Sequence, residues 1–262
     1  MASAVSLKGG RVETDSGRRT KIEVKDLTKQ FGDLMVLDHI NFHVAEGEFL
    51  AIVGPTGCGK TTFLNCLSKL IQSSEGDIFI DGEVANPRRH NISFVFQEPT
   101  CMPWRTVRQN VAYGMEVKKF PQADLERKLD DILKLVGLTD TADLYPNQVS
   151  ASMMQRIAVA RAFAVNPDLL LMDEPYGQLD VKLRFYLEDE LIKLWKTLKS
   201  TVIFVTHNIE EAVYVAERIL VLSNKPTTIK AEVPVNLPHP RHMLDPEFVE
   251  IRKRVTELIR WW

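Results

Sequence analysis

Gly54-Pro55-Thr56-Gly57-Cys58-Gly59-Lys60-Thr61 sets glycines, a lysine and a hydroxyl at the spacing G-x-x-x-x-G-K-[ST], a pattern suited to holding phosphate. Glycines let the backbone wrap closely around phosphate oxygens. The start of a following helix adds free amides and a positive dipole end. Lys60 can reach the β- and γ-phosphates of a nucleotide, and Thr61 can ligate Mg²⁺. The flanks supply the context this chemistry needs. Phe49-Leu50-Ala51-Ile52-Val53 reads as a buried strand, and Thr62-Phe63-Leu64-Asn65-Cys66-Leu67 reads as a helix. Cys58 lies in the same electropositive loop, so its thiol is expected to be reactive where exposed and shielded once nucleotide binds.

A pair of acids, Asp173-Glu174, directly follows the apolar run Leu169-Leu170-Leu171-Met172. In α/β sheets, ligands bind beyond the carboxyl ends of strands. Asp173 there can hold a metal through water. Glu174 can orient and deprotonate an attacking water, a role that typically contributes about 10²–10⁴-fold. The alternative is that both acids only cap a loop turning at Pro175. Gln97 closes Ile92-Ser93-Phe94-Val95-Phe96, where its amide oxygen can join Mg²⁺ or hold the water. His207 ends Thr201-Val202-Ile203-Phe204-Val205-Thr206, where an imidazole can accept from the water or donate to a γ-phosphate. Taken singly, Gln97 and His207 also read as loop residues. Lys60, Gln97, Asp173-Glu174 and His207 each follow a predicted strand, and a parallel sheet gathers such positions along one edge.

The elements that must carry these residues follow from the apolar patterning. Ile22-Glu23-Val24, Phe42-His43-Val44 and Ile78-Phe79-Ile80 read as strands, the last turning at Asp81-Gly82. Residues 106–165 change character: Val107 and Val111, then Leu125, Leu129, Ile132, Leu133 and Val136, then Met154, Ile157, Ala158 and Arg161 carry helical spacing. This is a helical insert between core strands. The run at 169–173 lacks polar alternation, as expected of a strand covered on both faces. Leu183, Leu187, Leu191 and Leu194 form a helix stripe, and residues 209–216 read as another helix. Late strands at 219–222 and 229–233 precede a proline-bearing linker and a last helix ending at Trp261-Trp262, two residues suited to packing or docking.

The 262 residues are 45% hydrophobic with a formal net charge of −2, an ordinary composition for a folded chain with a large core. No long basic run suggests a nucleic-acid face. No apolar run approaches the ~18 residues of a membrane span. Residues 1–20 lack the apolar stretch of a signal peptide and are expected to form a flexible tail. Cys58, Cys66 and Cys101 lack metal-ligand spacing and suit thiols in a reducing compartment.

Over residues 21–222 the order of phosphate loop, Gln97, a segment at 149–156, the run 169–174, Leu179-Asp180 and His207 resembles the ATP-binding cassette subunit of a membrane transporter. The resemblance implies an α/β, P-loop NTPase fold with a mostly parallel core sheet, an N-terminal antiparallel β-subdomain and an inserted helical subdomain. It implies an ATPase domain over 21–233, with the helical insert at about 106–165, then a linker and C-terminal helix over 234–262. By the same likeness Phe31 stacks on adenine, and the loop from Gly54 through Pro55, Thr56, Gly57, Cys58 and Gly59 surrounds the phosphates with Lys60. Thr61 and Gln97 ligate Mg²⁺, Asp173 supports it, and Thr62 lies near the α-phosphate. Glu174 is the general base, His207 senses the γ-phosphate and Asp180 belongs to a loop at a dimer interface. Met102-Pro103-Trp104-Arg105-Thr106-Val107-Arg108-Gln109-Asn110-Val111 and Phe204-Val205-Thr206-His207-Asn208-Ile209-Glu210-Glu211-Ala212-Val213 are similar to nitrate-, sulfonate- and taurine-type importers, as is Leu237-Pro238-His239-Pro240-Arg241.

One segment departs from the family. Its signature reads Leu-Ser-Gly-Gly-Gln or Leu-Ser-Gly-Gly-Met, whereas here Val149-Ser150-Ala151-Ser152-Met153 keeps Ser150 and loses both glycines. The family sets this segment against the γ-phosphate bound by the opposite subunit. A clash there costs roughly 1–3 kcal/mol by analogy with overpacking; helical dihedrals at both residues would leave the amides usable and the cost small. The resemblance further implies ATP and Mg²⁺ as cofactors, and as partners a second, identical or paralogous ATPase subunit, transmembrane permease subunits and, indirectly, an extracytoplasmic solute-binding protein. It implies a peripheral place on the cytoplasmic face of the inner or plasma membrane. A weakly hydrolysing nucleotide-gated subunit, a non-transport cassette protein and a metabolic kinase are the competing classes.

Overall fold

The computed structural model describes residues 17–177 and 179–259. The chain opens with β1 (Thr20–Phe31), β2 (Leu34–Ala45) and β3 (Phe49–Val53), then α1 (Lys60–Leu67), β4 (Glu75–Ile80), β5 (Glu83–Val84) and β6 (Ile92–Val95). Three helices follow: α2 (Val107–Val117), α3 (Gln122–Leu135) and α4 (Ala151–Ala164). The second half runs β7 (Leu169–Asp173), α5 (Val181–Leu198), β8 (Thr201–Val205), α6 (Ile209–Val215), β9 (Arg218–Leu222), β10 (Ile229–Pro234) and α7 (Pro246–Ile259). The tail expected through residue 20 ends sooner: Thr20 opens β1, and Arg18 forms a two-pronged ion pair with Glu217. The remainder of that tail and Trp261-Trp262 lie outside the described residues.

Two sheets form. Strands β2-β1-β4-β5 make an antiparallel sheet, and β10-β9-β3-β8-β7-β6 make a second in which all neighbours except β10 and β9 run parallel. The parallel sheet explains the unbroken apolar runs. Phe49, Ala51 and Val53 of β3 pack into one hydrophobic cluster with α5, α6 and α7, while Leu50 and Ile52 pack into another with α1 and the antiparallel sheet. β7 divides the same way, with Leu170 and Met172 on one side and Leu169 and Leu171 on the other. A strand's side chains alternate between faces, so a sheet covered twice has no polar position to offer. Each such side chain, fully buried, contributes about 1.5–3 kcal/mol.

The helices between β6 and β7 make their own core from Val107, Val111 and Met115 of α2, Leu125, Leu129 and Leu133 of α3, and Ile157, Ala160 and Ala164 of α4. The α2 helix starts at a reciprocal cap: Thr106 Oγ1 accepts from Gln109 N, and Gln109 Oε1 accepts from Thr106 N. These observations give the α/β architecture that the sequence leads one to expect: a mostly parallel core sheet, an antiparallel subdomain and a helical insertion.

Candidate nucleotide site

Strands β3, β8, β7 and β6 lie side by side and point the same way, so Lys60, His207, Asp173-Glu174 and Gln97 leave one edge of the sheet together. The register is close: Val205 pairs with Ile52 on one side and with Asp173 on the other.

The loop from Gly54 to Gly59 connects β3 to α1. Gly59 adopts φ 114°, and a Cβ there would sit 2.8 Å from Val36 Cγ1, so both backbone angle and space demand glycine. Gly54 is packed as tightly: a Cβ would meet Cys58 Sγ and Leu222 Cβ at 3.0 Å. Thr56 and Gly57 are exposed and Pro55 half-buried. Gly59 is also the N-cap of α1 and supplies no side chain to its first amides, which an α-helix leaves unpaired within itself. Lys60 is 6% exposed, and its Nζ donates to Gly54 O and Pro55 O, each at 3.1 Å. Both acceptors are neutral carbonyls. A bound phosphate would bring the negative charge that this buried cation and the helix start both favour. Thr62 is half-buried on the first turn of α1.

Cys58 does not meet the exposure on which its expected reactivity depends. It is 2% exposed, and burial pushes its thiol up, against the opposing pull of Lys60. The electropositive loop is outweighed by the loss of water around the sulfur.

Asp173 ends β7 at 3% exposure. Burial raises its pKa above the usual carboxylate range; a hydrogen bond from Thr61 opposes the shift, the neighbouring Glu174 adds to it and Lys60 offsets it. Asp173 Oδ1 is buried without a hydrogen-bond partner among the described residues. A hard divalent cation takes oxygen ligands and supplies the charge such an atom lacks, so the Thr61 hydroxyl, the Gln97 amide and Asp173 suit Mg²⁺.

Glu174 adopts φ 45°, a left-handed conformation unusual outside glycine. Its amide donates to Val205 O at 2.8 Å, tying it to β8. Its Oε2 accepts from Gln97 Nε2 at 3.3 Å and lies 2.9 Å from His207 Nδ1. Two donors on one oxygen orient the carboxylate, whose side chain keeps 16% of its exposure beside a 56% exposed imidazole. A strained backbone held by two strands is the kind of position where orientation matters more than local stability.

The other predicted residues sit on other elements. Ser150 caps α4, its Oγ accepting from Met153 N at 3.2 Å. Asp180 caps α5, accepting from Leu183 N at 3.0 Å. Phe31 ends β1 half-exposed, with Lys29 Nζ 4.7 Å from its ring centroid. Ala151 and Ser152 begin α4 with helical backbones, Ala151 exposed. Sequence reading gave no role to Thr206, Glu211 or Arg184, which join in a buried hydrogen-bond and ion-pair chain directly behind His207. An acid four residues beyond His207 was the available signal, but acids are common on first helical turns.

Residues 37–177 match the family model described as ABC transporter. An uncharacterized ABC transporter ATP-binding protein of Methanocaldococcus jannaschii is 40% identical over 257 residues, covering 97% of this chain and 96% of that protein. An aliphatic sulfonates import ATP-binding protein, SsuB of Bacillus cereus, is 40% identical over 233 residues, covering 89% and 92%. Among solved structures, a dimeric post-hydrolysis state of the ATP-binding cassette MJ0796 bound to ADP and Pi matches with a TM-score of 0.75 at 32% identity, over 83% of this chain and 100% of that one. With a family model spanning more than half its length and relatives alike from end to end, the chain belongs to the ABC transporter family as an ATP-binding ATPase.

Proposed function

We propose that this chain is the ATP-hydrolysing subunit of an importer in which two cassettes sandwich ATP and drive uptake through separate permease subunits. The observation that carries the chemistry is the Glu174 carboxylate held between Gln97 and His207 beside the phosphate loop. Glu174 takes a proton from the attacking water, and His207 steadies the γ-phosphate. Lys60 and the first amides of α1 neutralise charge on the transferring phosphoryl group. Thr61, Gln97 and Asp173 hold Mg²⁺, which when bound neutralises the phosphate oxygens. Phe31 stacks on the adenine and Thr62 lies near the α-phosphate. Ser150 and Asp180 act across the cassette dimer, for which the dimeric MJ0796 cassette is a precedent.

The cargo is an anion of the nitrate, sulfonate or taurine class, and a solute-binding protein delivers it. The aliphatic sulfonates importer subunit supports this reading. No helix among the described residues is long and apolar enough to cross a membrane, which fits a peripheral subunit on the cytoplasmic face. Trp104, 73% exposed, with Tyr113 beneath the stacked Arg105 guanidinium, offers the helical insert's docking face. Capture of hydrophobic subunits from native membranes through this face would support the assembly; a Trp104→Ala chain captured equally well would remove that residue from the interface.

Glu174→Gln keeps the side chain's shape and its hydrogen bonds but not its basicity. It should leave ATP binding intact and slow turnover by about 10²–10⁴-fold, measured as phosphate release. Unchanged turnover would sink the assignment.

The second reading, a weakly hydrolysing nucleotide-gated subunit, rests on Ala151 and Ser152. Their helical backbones support the milder outcome, in which the amides stay usable. Restoring glycine at both positions should then change phosphate release less than about threefold, whereas relief of a clash would raise it ~5–150-fold, the equivalent of roughly 1–3 kcal/mol.

A further inference from the structure

Behind His207 lies a set of charged side chains that the chemistry above leaves unused. Glu211, on the first turn of α6, is 4% exposed. Its Oε2 accepts from Thr206 Oγ1 at 2.5 Å, and its Oε1 lies 3.3 Å from Arg184 Nη1. Thr206 immediately precedes His207 and is itself 1% exposed. Its hydroxyl also accepts from Asn208 N at 3.0 Å, and its amide donates to Ile52 O of β3 at 3.2 Å. Asn208 in turn caps α6 by accepting from Glu210 N and Glu211 N. The residues on both sides of His207 are therefore tied to one buried carboxylate. Arg184 reaches the other way, donating from Nη2 to Leu179 O at 3.3 Å, next to Asp180.

A buried carboxylate bonded to a hydroxyl makes a short, strong and directional contact. An apolar residue of similar volume would often serve stability as well as a buried ion pair does. What this arrangement adds is geometric: it fixes the two residues flanking an exposed imidazole. We propose that Glu211 acts through Thr206 as a positioning residue for His207. The proposal rests on the reading that His207 meets the γ-phosphate.

Thr206→Val removes the hydroxyl and keeps the shape; Thr206→Ser keeps the hydroxyl. With the full chain and Mg-ATP, the valine variant should lose about tenfold in kcat with KM within about twofold, the scale of one charge-assisted hydrogen bond. The serine variant should retain wild-type kcat. In a His207→Ala background, Thr206→Val should cost no more than about twofold, because residues acting as one unit are not additive. Glu211→Gln, which retains an acceptor for the hydroxyl, serves as the second variant should the valine chain fail to fold, and it should lower kcat in the same His207-dependent way. Independently, the ¹⁵N-imidazole signals of His207, assigned by their loss in His207→Ala, should change tautomer balance or broaden in Thr206→Val or Glu211→Gln and stay in place in Thr206→Ser. Undisturbed imidazole signals, or an equal kcat loss with and without His207, would overturn the proposal. If His207→Ala leaves turnover unchanged, the γ-phosphate reading fails, and the imidazole signals alone decide the positioning role.

Discussion

Asp173 and Glu188 are both buried acids with oxygens that no group among the described residues bonds: Oδ1 of the first, Oε1 and Oε2 of the second. Burial raises both, Glu188 to about 9. Their neighbourhoods differ. Asp173 sits at the end of β7, beside a donating Thr61 hydroxyl and the Lys60 ammonium of the phosphate loop. Glu188 lies in α5 at 0% exposure, near the Glu211 carboxylate and the buried Tyr176. The nearby Arg184 guanidinium pairs with Glu211. A donor and a cation favour the ionised form of Asp173, whereas a second acid and the loss of water favour the neutral form of Glu188. An open oxygen on a buried carboxyl thus has two physical meanings, a place for a cation and a place for a proton, and only the surrounding groups tell them apart.

The contrast breaks most directly at Asp173. Asp173→Asn keeps the shape and the Thr61 contact while removing the charge. Mg²⁺-dependent binding of a non-hydrolysable ATP analogue should weaken by about 10–100-fold, as for other residues that support a metal. With chelator present, affinity should match the unaltered chain. Calorimetric titration in both conditions reads the difference, and equal Mg²⁺ dependence in the two chains would assign the open oxygen of Asp173 to something other than a cation.

Much of the site's edge was legible beforehand because it is written locally. Apolar runs such as 169–172 predict strands covered on both faces, and the polar residue ending each run lands at a carboxyl end. The capping roles of Ser150 and Asp180, immediately before α4 and α5, went unread although caps are local signals. Glu188 was not legible. In Glu188-Asp189-Glu190 an acidic triplet reads as a solvated helix face, and its burial follows from how α5 packs on α6 and the sheet. Arg241 was equally hidden. In the sequence it ends a proline-rich segment; in the fold it is 5% exposed and donates to Val213 O, Tyr214 O and Ala216 O at the end of α6, and to Val235 O and Leu237 O. The burial of Cys58 was hidden as well: it joins a buried cluster with Leu222 and residues of β2, which come from distant parts of the chain.

The smaller test concerns the proton on Glu188. In the unfolded chain this carboxyl ionises near its ordinary value of 4.5, while in the fold it stays protonated until about pH 9. Between those values the folded chain holds a proton that the unfolded chain has released. Its contribution is therefore fully present below pH 4.5 and is lost as pH rises toward 9. The steepest loss is about 1.4 kcal/mol per pH unit. Glu188→Gln fills the same space without an ionisable proton. Urea unfolding at pH 6.5 and 7.5 should then show the unaltered chain losing about 1 kcal/mol more than the variant across that interval. The variant should be the more stable of the two at the higher pH. Parallel pH profiles would mean that Glu188 is already ionised in the fold. The distinction between its open oxygens and that of Asp173 would then have to rest on something other than who holds a proton.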